Sequence, residues 1–319
     1  MDTEARVYEV KGRRFVLSVF GAQWLDDLVT LHGQIFTQGP TRQQLAIKYD
    51  ASAQGRQPIA TIAHEQGRPV AFHGALPYPV LIDGERHWIG HSCDYITSTD
   101  CRRLGLHSQL AALSFELMQA QQMIGAFAMF SEVSEGASVK MGWQQDGVLQ
   151  RFHIPTGARR WGHRLWRMPG ARVMYRHRVM QVLGPYLSER KVFRNSLVND
   201  GVAVDYGPDF MSWKTYGDNH VLSIGGAQLW VRIAGRVAVG ASYALGPDNI
   251  EEVVETLVDI GRRCGVSEVM FQLSAQTHLT PLLSRFASAK DSYRVSLIDF
   301  TDDIDVSGIK FNYSDFDTF

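Results

Sequence analysis

Apolar and polar positions along the first half of the chain switch between two periods, and the switches predict the elements. Residues 15–20 alternate as a short strand. Residues 22–36 then carry Leu25, Leu28, Leu31 and Ile35 at helical spacing. Residues 59–64 and 69–76, separated by the turn Glu65-Gln66-Gly67-Arg68, predict a β-hairpin, and residues 80–82 and 87–92 around Asp83-Gly84 predict a second. A strand over 94–98 and a polar loop follow. The strongest helix signal runs over 106–122, where Leu106, Leu110, Leu113 and Leu117 define one buried face. Residues 124–130 read as a further strand, followed by a short helix ending at Gly142.

The second half repeats part of this grammar. Leu45-Ala46-Ile47-Lys48-Tyr49 is echoed by Met211-Ser212-Trp213-Lys214-Thr215-Tyr216, and Gly67-Arg68-Pro69-Val70-Ala71 by Gly235-Arg236-Val237-Ala238-Val239. Both pairs lie about one domain length apart, as an internal duplication would leave them. A second hairpin is followed by a helix over 250–264, a strand over 266–273, a short helix near 281–286 and a strand over 293–300. Asp248 or Asn249 is placed to cap the first of these helices, with Glu251 and Glu252 in its positive first turn. The predicted architecture is α/β with a mixed sheet, in two related modules: residues 1–155, and residues 156–319, comprising a connector and a degenerate copy.

Composition narrows the function classes. The 319 residues are 45% hydrophobic and 20% charged, with 32 Lys+Arg against 33 Asp+Glu and a net charge of −1, which argues against a general nucleic-acid binder. No apolar run approaches the ~18 residues that span a bilayer. Met1-Asp2-Thr3-Glu4-Ala5-Arg6 does not read as a secretory signal. Cys93, Cys101 and Cys264, an odd number without a Cys-x-x-Cys pair, read as reduced thiols of a cytoplasmic protein. The histidines show no metal spacing, and no metal is expected.

One stretch departs from the average. Between Gly147 and Ser188 there is no acidic residue, while arginines stand at 151, 159, 160, 164, 167, 172, 176 and 178 with Trp161, Trp166 and Tyr175 among them. Two readings stay open: an electropositive surface facing phosphates, or a solvated connector whose charges pair with the six aspartates of residues 299–319.

The segment Asp94-Tyr95-Ile96-Thr97-Ser98-Thr99-Asp100-Cys101-Arg102-Arg103-Leu104-Gly105-Leu106-His107 carries the chemistry. It leads from a strand, through a short basic loop with one glycine, into the N-terminus of the best helix. Such a turn offers unpaired main-chain N–H groups and the helix dipole to an anion such as pyrophosphate. A helix cap with incidental arginines is the alternative. The segment resembles motif A of the GNAT acyltransferase superfamily, Arg/Gln-x-x-Gly-x-Gly/Ala. Arg102 and Gly105 match; His107 departs at the last small position, and Arg103 stands where a glycine is common. Downstream, Ser134-Glu135-Gly136-Ala137-Ser138-Val139-Lys140-Met141-Gly142-Trp143 resembles the superfamily's closing motif, which Lys140, Gly142 and Trp143 match. The resemblance is strong over residues 15–152 and topological in the second half.

The resemblance implies a tandem GNAT fold with a degenerate second module and an acyl-coenzyme A donor carrying an acetyl or short hydroxyacyl group. It implies that the strand over 94–98 splays from the one over 124–130, so that main-chain groups of Ile96, Thr97 and Ser98 hold pantetheine, while Arg102, Arg103, Leu104, Gly105, Leu106, His107 and Ser108 hold the pyrophosphate. Leu245-Gly246-Pro247-Asp248-Asn249 puts an acid at the matching turn of the second module, which implies one cofactor site per chain. The implied reaction is direct attack of an amine on the thioester without an acyl-enzyme. Asp94, Glu132, His73 or a water chain are the candidate bases. A tyrosine that members often use to protonate the departing thiolate is matched here by Ser138.

Tandem chains of this length resemble enzymes that acylate nucleotide-linked (dTDP or UDP) deoxyamino sugars for surface polysaccharide. Arg159, Arg160, Trp161 and Ser134 are the candidate residues for such a sugar nucleotide. A non-catalytic coenzyme A-binding scaffold and an aminoacyl or peptide N-acyltransferase are the alternatives. Neither nucleic acid nor membrane is expected as a partner, and a homodimer stays open.

Overall fold

The computed structural model describes residues 5–35, 39–130, 139–159, 161–188, 193–214, 217–301 and 304–319. The first module runs β1 (Arg6–Val10), β2 (Arg13–Val19), α1 (Leu25–Ile35), α2 (Arg42–Lys48), β3 (Thr61–Glu65), β4 (Arg68–Ile82), β5 (Glu85–Thr97), α3 (Leu106–Ala120), β6 (Gly125–Phe130) and β7 (Gln144–Pro155). The hairpin turns form where positive φ is supplied: Gln66 and Gly67 at +50° and +80°, Asp83 and Gly84 at +51° and +83°. The pairs expected over 69–76/80–82 and 87–92/94–98 are in fact two unbroken strands, β4 and β5. Pro77 and Pro79 do not interrupt β4, because β3 pairs it only as far as His73 and the prolines sit where no β3 acceptor awaits an N–H.

The second module runs α4 (Trp161–Arg167), α5 (Pro169–Leu183), β8 (Ala203–Val204), α6 (Pro208–Trp213), β9 (Asn219–Ile224), β10 (Ala227–Ile233), β11 (Val237–Tyr243), α7 (Ile250–Arg263), β12 (Glu268–Ser274), α8 (Leu279–Leu283) and β13 (Lys290–Asp299). One mixed sheet joins both, in the order β1-β2-β3-β4-β5-β6-β13-β7-β12-β11-β10-β9, with β8 added to β4. Its centre shows an exchange. β13, the last strand of the second module, lies between β6 and β7 of the first, and β7 lies between β13 and β12. The two halves of the chain therefore exchange strands at the centre of the sheet. The largest apolar cluster spans both halves, from Phe20 and Phe72 to Trp230, Phe311 and Phe319.

Three sequence readings are corrected here. The strand β7 was not anticipated: it buries Leu149, Phe152 and Ile154, but its pairing with β13 shifts register twice, so no single period marks it. Residues read as a connector after 156 form α4 and α5, which pack on the second module through Tyr175, Val179, Val182 and Leu183. Asn249 stands at the N-cap of α7 without capping it: its Oδ1 accepts from Gly246 N (2.9 Å) and its amide donates to Gly225 O and Ala244 O.

The two echoes fare differently. Lys48 ends α2 just before β3, and Lys214 follows α6 just before β9, so this echo falls in equivalent places. The second does not: Gly67 turns β3 into β4, whereas Gly235 turns β10 into β11, the hairpin that matches Asp83-Gly84. Among the described residues, no helix is long and apolar enough to cross a membrane.

Candidate active site

The site begins with a break in the sheet. β5 and β6 run parallel and pair over residues 89–92 with 125–128, and the pairing stops at Ser92/Ala128 although β5 continues to Thr97. Immediately beyond this point β5 bulges. Gly74 pairs with Cys93 and His73 with Tyr95, which leaves Asp94 as the extra residue, at φ +45°. A bulge re-aims a side chain. Here it turns Cys93 and Asp94 to the same side, both toward Tyr49. Gly74 makes room for this: a Cβ there would lie 2.3 Å from the Tyr49 hydroxyl and 2.7 Å from Cys93 O.

Asp94 Oδ2 accepts from Lys48 Nζ (2.6 Å) and from the Tyr49 hydroxyl (2.7 Å), and His32 Nε2 lies 3.9 Å away. Lys48 Nζ also reaches Asp317 Oδ2 at 2.7 Å. Helices α1 and α2 thus supply a histidine, a lysine and a tyrosine to a strand carboxylate, and the C-terminal tail adds a second acid. Burial holds the His32 imidazole below its usual range, despite Asp94. Burial, then Asp94, pushes the Tyr49 hydroxyl well up, so it stays a donor. Burial alone would raise Asp317, but the Lys48 ammonium with its hydrogen bond, and Lys214, outweigh it and hold the carboxyl below its usual range. His32, Lys48, Asp94 and Asp317 line a cavity of about 400 Å³ between α1, α2 and β5 on one side and Gly217, Arg232 of β10 and residues 317–319 on the other.

Among the described residues, two groups of side chains have the spacing of cation ligands: Cys93, Asp94 and Asp317, and Glu65, Asp100 and Cys101. In each a protein cation already serves the carboxylates. Lys48 bridges Asp94 and Asp317; Arg13 bonds Glu65 and Arg68 bonds Asp100.

The turn from β5 into α3 is the second component. Gly105 is the N-cap of α3 at φ +78°, with no side-chain cap. The first-turn amides of Leu106, His107 and Ser108 have no intrahelical acceptor, as at any helix start. Leu104 and Leu106 are buried and anchor the turn, while Arg102 and Arg103 stay exposed. A Cβ at Gly105 would lie 2.9 Å from the Tyr8 hydroxyl, which donates to Leu104 O (2.8 Å). Arg13 NH1 and Arg68 NH2 fix the preceding turn through Asp100 O (2.8 Å) and Asp100 Oδ2 (2.7 Å), and the Arg68 bond pulls the Asp100 carboxyl down to about 2. Uncapped amides, exposed arginines and a glycine in the left-handed region suit a phosphate-bearing ligand.

The expected pantetheine contacts need correction. Ser98 N donates to Val70 O (2.8 Å), and the antiparallel alternation directs Ile96 N toward β4 as well. Both amides are spent in the ladder. Thr97 faces the unpaired side, where its carbonyl accepts from Arg102 Nε (3.4 Å).

His73 is not brought to the cavity. It is 1% exposed under α3, packed with Tyr95, His107 and Phe115, and burial with His107 nearby lowers its pKa to about 3. His107, at the position where the superfamily has a small residue, fills space against Tyr95 (ring centroids 4.6 Å apart). Glu132, Ser134, Ser138 and Arg160 lie outside the described residues. Trp143 of the closing motif packs on Phe115 and Phe130. Arg159 is exposed, and Trp161 covers Gly265 at the end of α7; neither lines the cavity. The arginines pair locally: Arg151 bonds Gln272 and lies over Tyr293, Arg172 lies over Trp166, and Arg176 pairs with Asp218. The acids of residues 299–319 are not their partners in these contacts.

The second half of the chain has its own break, and the chain fills it. β11 and β12 pair over 237–239 with 269–271 and no further. Beyond, Ser274 N donates to Phe311 O (2.8 Å), Leu273 bridges Asn312, and Ser314 Oγ donates to Gly240 O (3.2 Å). The tail occupies the edge that stays unpaired in the first module.

No family model matches this sequence, and no curated protein matches it. Solved structures do. A conserved protein of unknown function from Enterococcus faecalis V583, described as a probable N-acyltransferase, aligns with a TM-score of 0.60 at 13% identity, over 89% of this chain and 72% of that one. A GCN5-related N-acetyltransferase from Kribbella flavida gives 0.57 at 13% identity over 89% and 70%. One from Anabaena variabilis gives 0.56 at 12% identity over 89% and 72%. At these identities the likeness is one of fold: the protein has the mixed α/β fold of these GCN5-related N-acetyltransferases.

Proposed function

We propose that the protein is an acyl-coenzyme A-dependent N-acyltransferase with one working site per chain, in its first module. The observation that carries this reading is the end of β5–β6 pairing at Ser92/Ala128, directly before the bulged Asp94 and on the strand that leads into the Gly105 turn. The chain is read as two modules, 1–155 and 156–319, with the second kept as a wall for the first.

In this reading the amides of Leu106, His107 and Ser108 and the side chains of Arg102 and Arg103 hold the pyrophosphate of acyl-coenzyme A, and Thr97 offers its N–H along the open edge. The ligand supplies an activated acyl group as a thioester. Asp94 takes a proton from the acceptor amine as its nitrogen bonds to the acyl carbon and the carbon–sulfur bond breaks. Lys48 and Tyr49 fix the Asp94 carboxylate, and the cavity beside it receives the acceptor. A thiolate is a fair leaving group, so the step requires no acid from the protein.

The nucleotide-linked amino sugar stays an alternative acceptor: of its candidate residues, Arg159 and Trp161 do not line this cavity, and Ser134 and Arg160 lie outside the described residues. The test is release of free thiol from acetyl-coenzyme A against a panel of primary amines. Release that depends on an amine, and that falls about 10²–10⁴-fold in Asp94→Asn with unchanged coenzyme A affinity, is the expected result. Coenzyme A binding with no thiol released by any amine would instead make the protein a non-catalytic binder.

A further inference from the structure

The wall of the cavity is electrically divided. On one side Lys48 sits between Asp94 and Asp317, so three charged groups sum to one net negative charge. His32 beside them is held neutral by burial. On the other side stands the guanidinium of Arg232 of β10. One of its terminal nitrogens donates to Thr318 O, and its Nε is shielded from solvent with no hydrogen-bond partner among the described residues. No carboxylate among the described residues pairs with it. Arg232 lines the cavity, and a planar fork of donors matches the two oxygens of a carboxylate or the edge of a phosphate.

We propose that the acyl acceptor is an amine that also carries an anionic group, a carboxylate or a phosphate. Arg232 holds that group while the nitrogen faces Asp94. The inference rests on the reading that this cavity receives the acceptor. It gives the second module a function although its own strand break is filled: Asp94 comes from the first module and Arg232 from the second, so neither half alone carries both poles. A neutral amine would satisfy the acidic pole and leave Arg232 as it is now.

The test uses matched probes with the full-length protein and coenzyme A: amino acids against their carboxamides, and O-phosphoethanolamine against ethanolamine. Binding is read by calorimetry and turnover by thiol release. In at least one pair the anionic member should bind about tenfold or more tightly, as a charge-assisted pair provides. The preference should vanish in Arg232→Met and weaken in Arg232→Lys, which keeps the charge and loses the fork. An unchanged affinity for coenzyme A reports that both variants are folded. The pair that responds separates carboxylate from phosphate. Equal binding within every pair, a preference that survives in Arg232→Met, or no binding by any probe would overturn the proposal. A preference without thiol release would sink acyl transfer and leave the anion site standing. Thiol release from neutral and anionic amines at equal KM would do the reverse.

Discussion

Asp94 does its work through its neighbours. The bulge that turns it toward Lys48 and Tyr49 exists only because residue 74 has no side chain. Gly74→Ala would place a methyl 2.3 Å from the Tyr49 hydroxyl. Overpacking of this kind costs about 1–3 kcal/mol. The variant should therefore unfold at lower denaturant and lose turnover, while Tyr49→Phe, which removes one hydrogen bond worth about 1 kcal/mol, should lose less of each. Denaturation midpoints and kcat measured side by side check the order; a Gly74→Ala protein as stable and active as the wild type would contradict the bulge. At this scale the sequence was partly legible. Asp94 lies in the segment whose residues point to a site, and Lys48-Tyr49 shows in the sequence as an echo, though not as chemistry. Asp317 and Arg232 carry no local signal, because what matters is that strands far apart in sequence bring them to one cavity.

Among the elements, helices with a leucine period and turns with glycine at positive φ were legible, since both follow from local sterics. α3 and the β3–β4 turn lie within two residues of where the pattern put them. The exchange of β7 and β13 was not, because strand order depends on which edges meet, and β7 shows no clean alternation. The exchange has a consequence. Residues 1–155 made alone would contain β6 and β7 without the strand that separates and pairs them, leaving two bare edges. That fragment should be insoluble or only partly folded by circular dichroism, and co-expression with residues 156–319 should recover a soluble complex. A fragment that folds cooperatively alone would show that β13 is dispensable.

For the molecule as a whole, buried histidines set the response to acid. His73 and His91 are almost fully buried, and burial lowers both to about 3, against about 6.5 when unfolded. The folded state then binds fewer protons than the unfolded one between those values. Their contribution to stability is complete above about pH 6.5 and is lost as the pH falls toward 3, at about 1.4 kcal/mol per pH unit for each histidine. His91 stacks on Phe127 at 4.4 Å, so His91→Phe should keep the packing and reduce the slope of unfolding free energy between pH 4 and 6 by about one proton. An unchanged slope would mean that His91 titrates normally in the fold.

One sheet with two breaks in its parallel pairing, one open and one filled by the chain's own tail, makes a simple count. Calorimetric titration of the full-length protein with coenzyme A should give one molecule bound per chain. In Gly105→Glu, which puts a carboxylate at the start of α3, binding should be lost while the circular dichroism spectrum persists. Two molecules per chain, none, or undiminished binding by the Gly105→Glu protein would contradict the account.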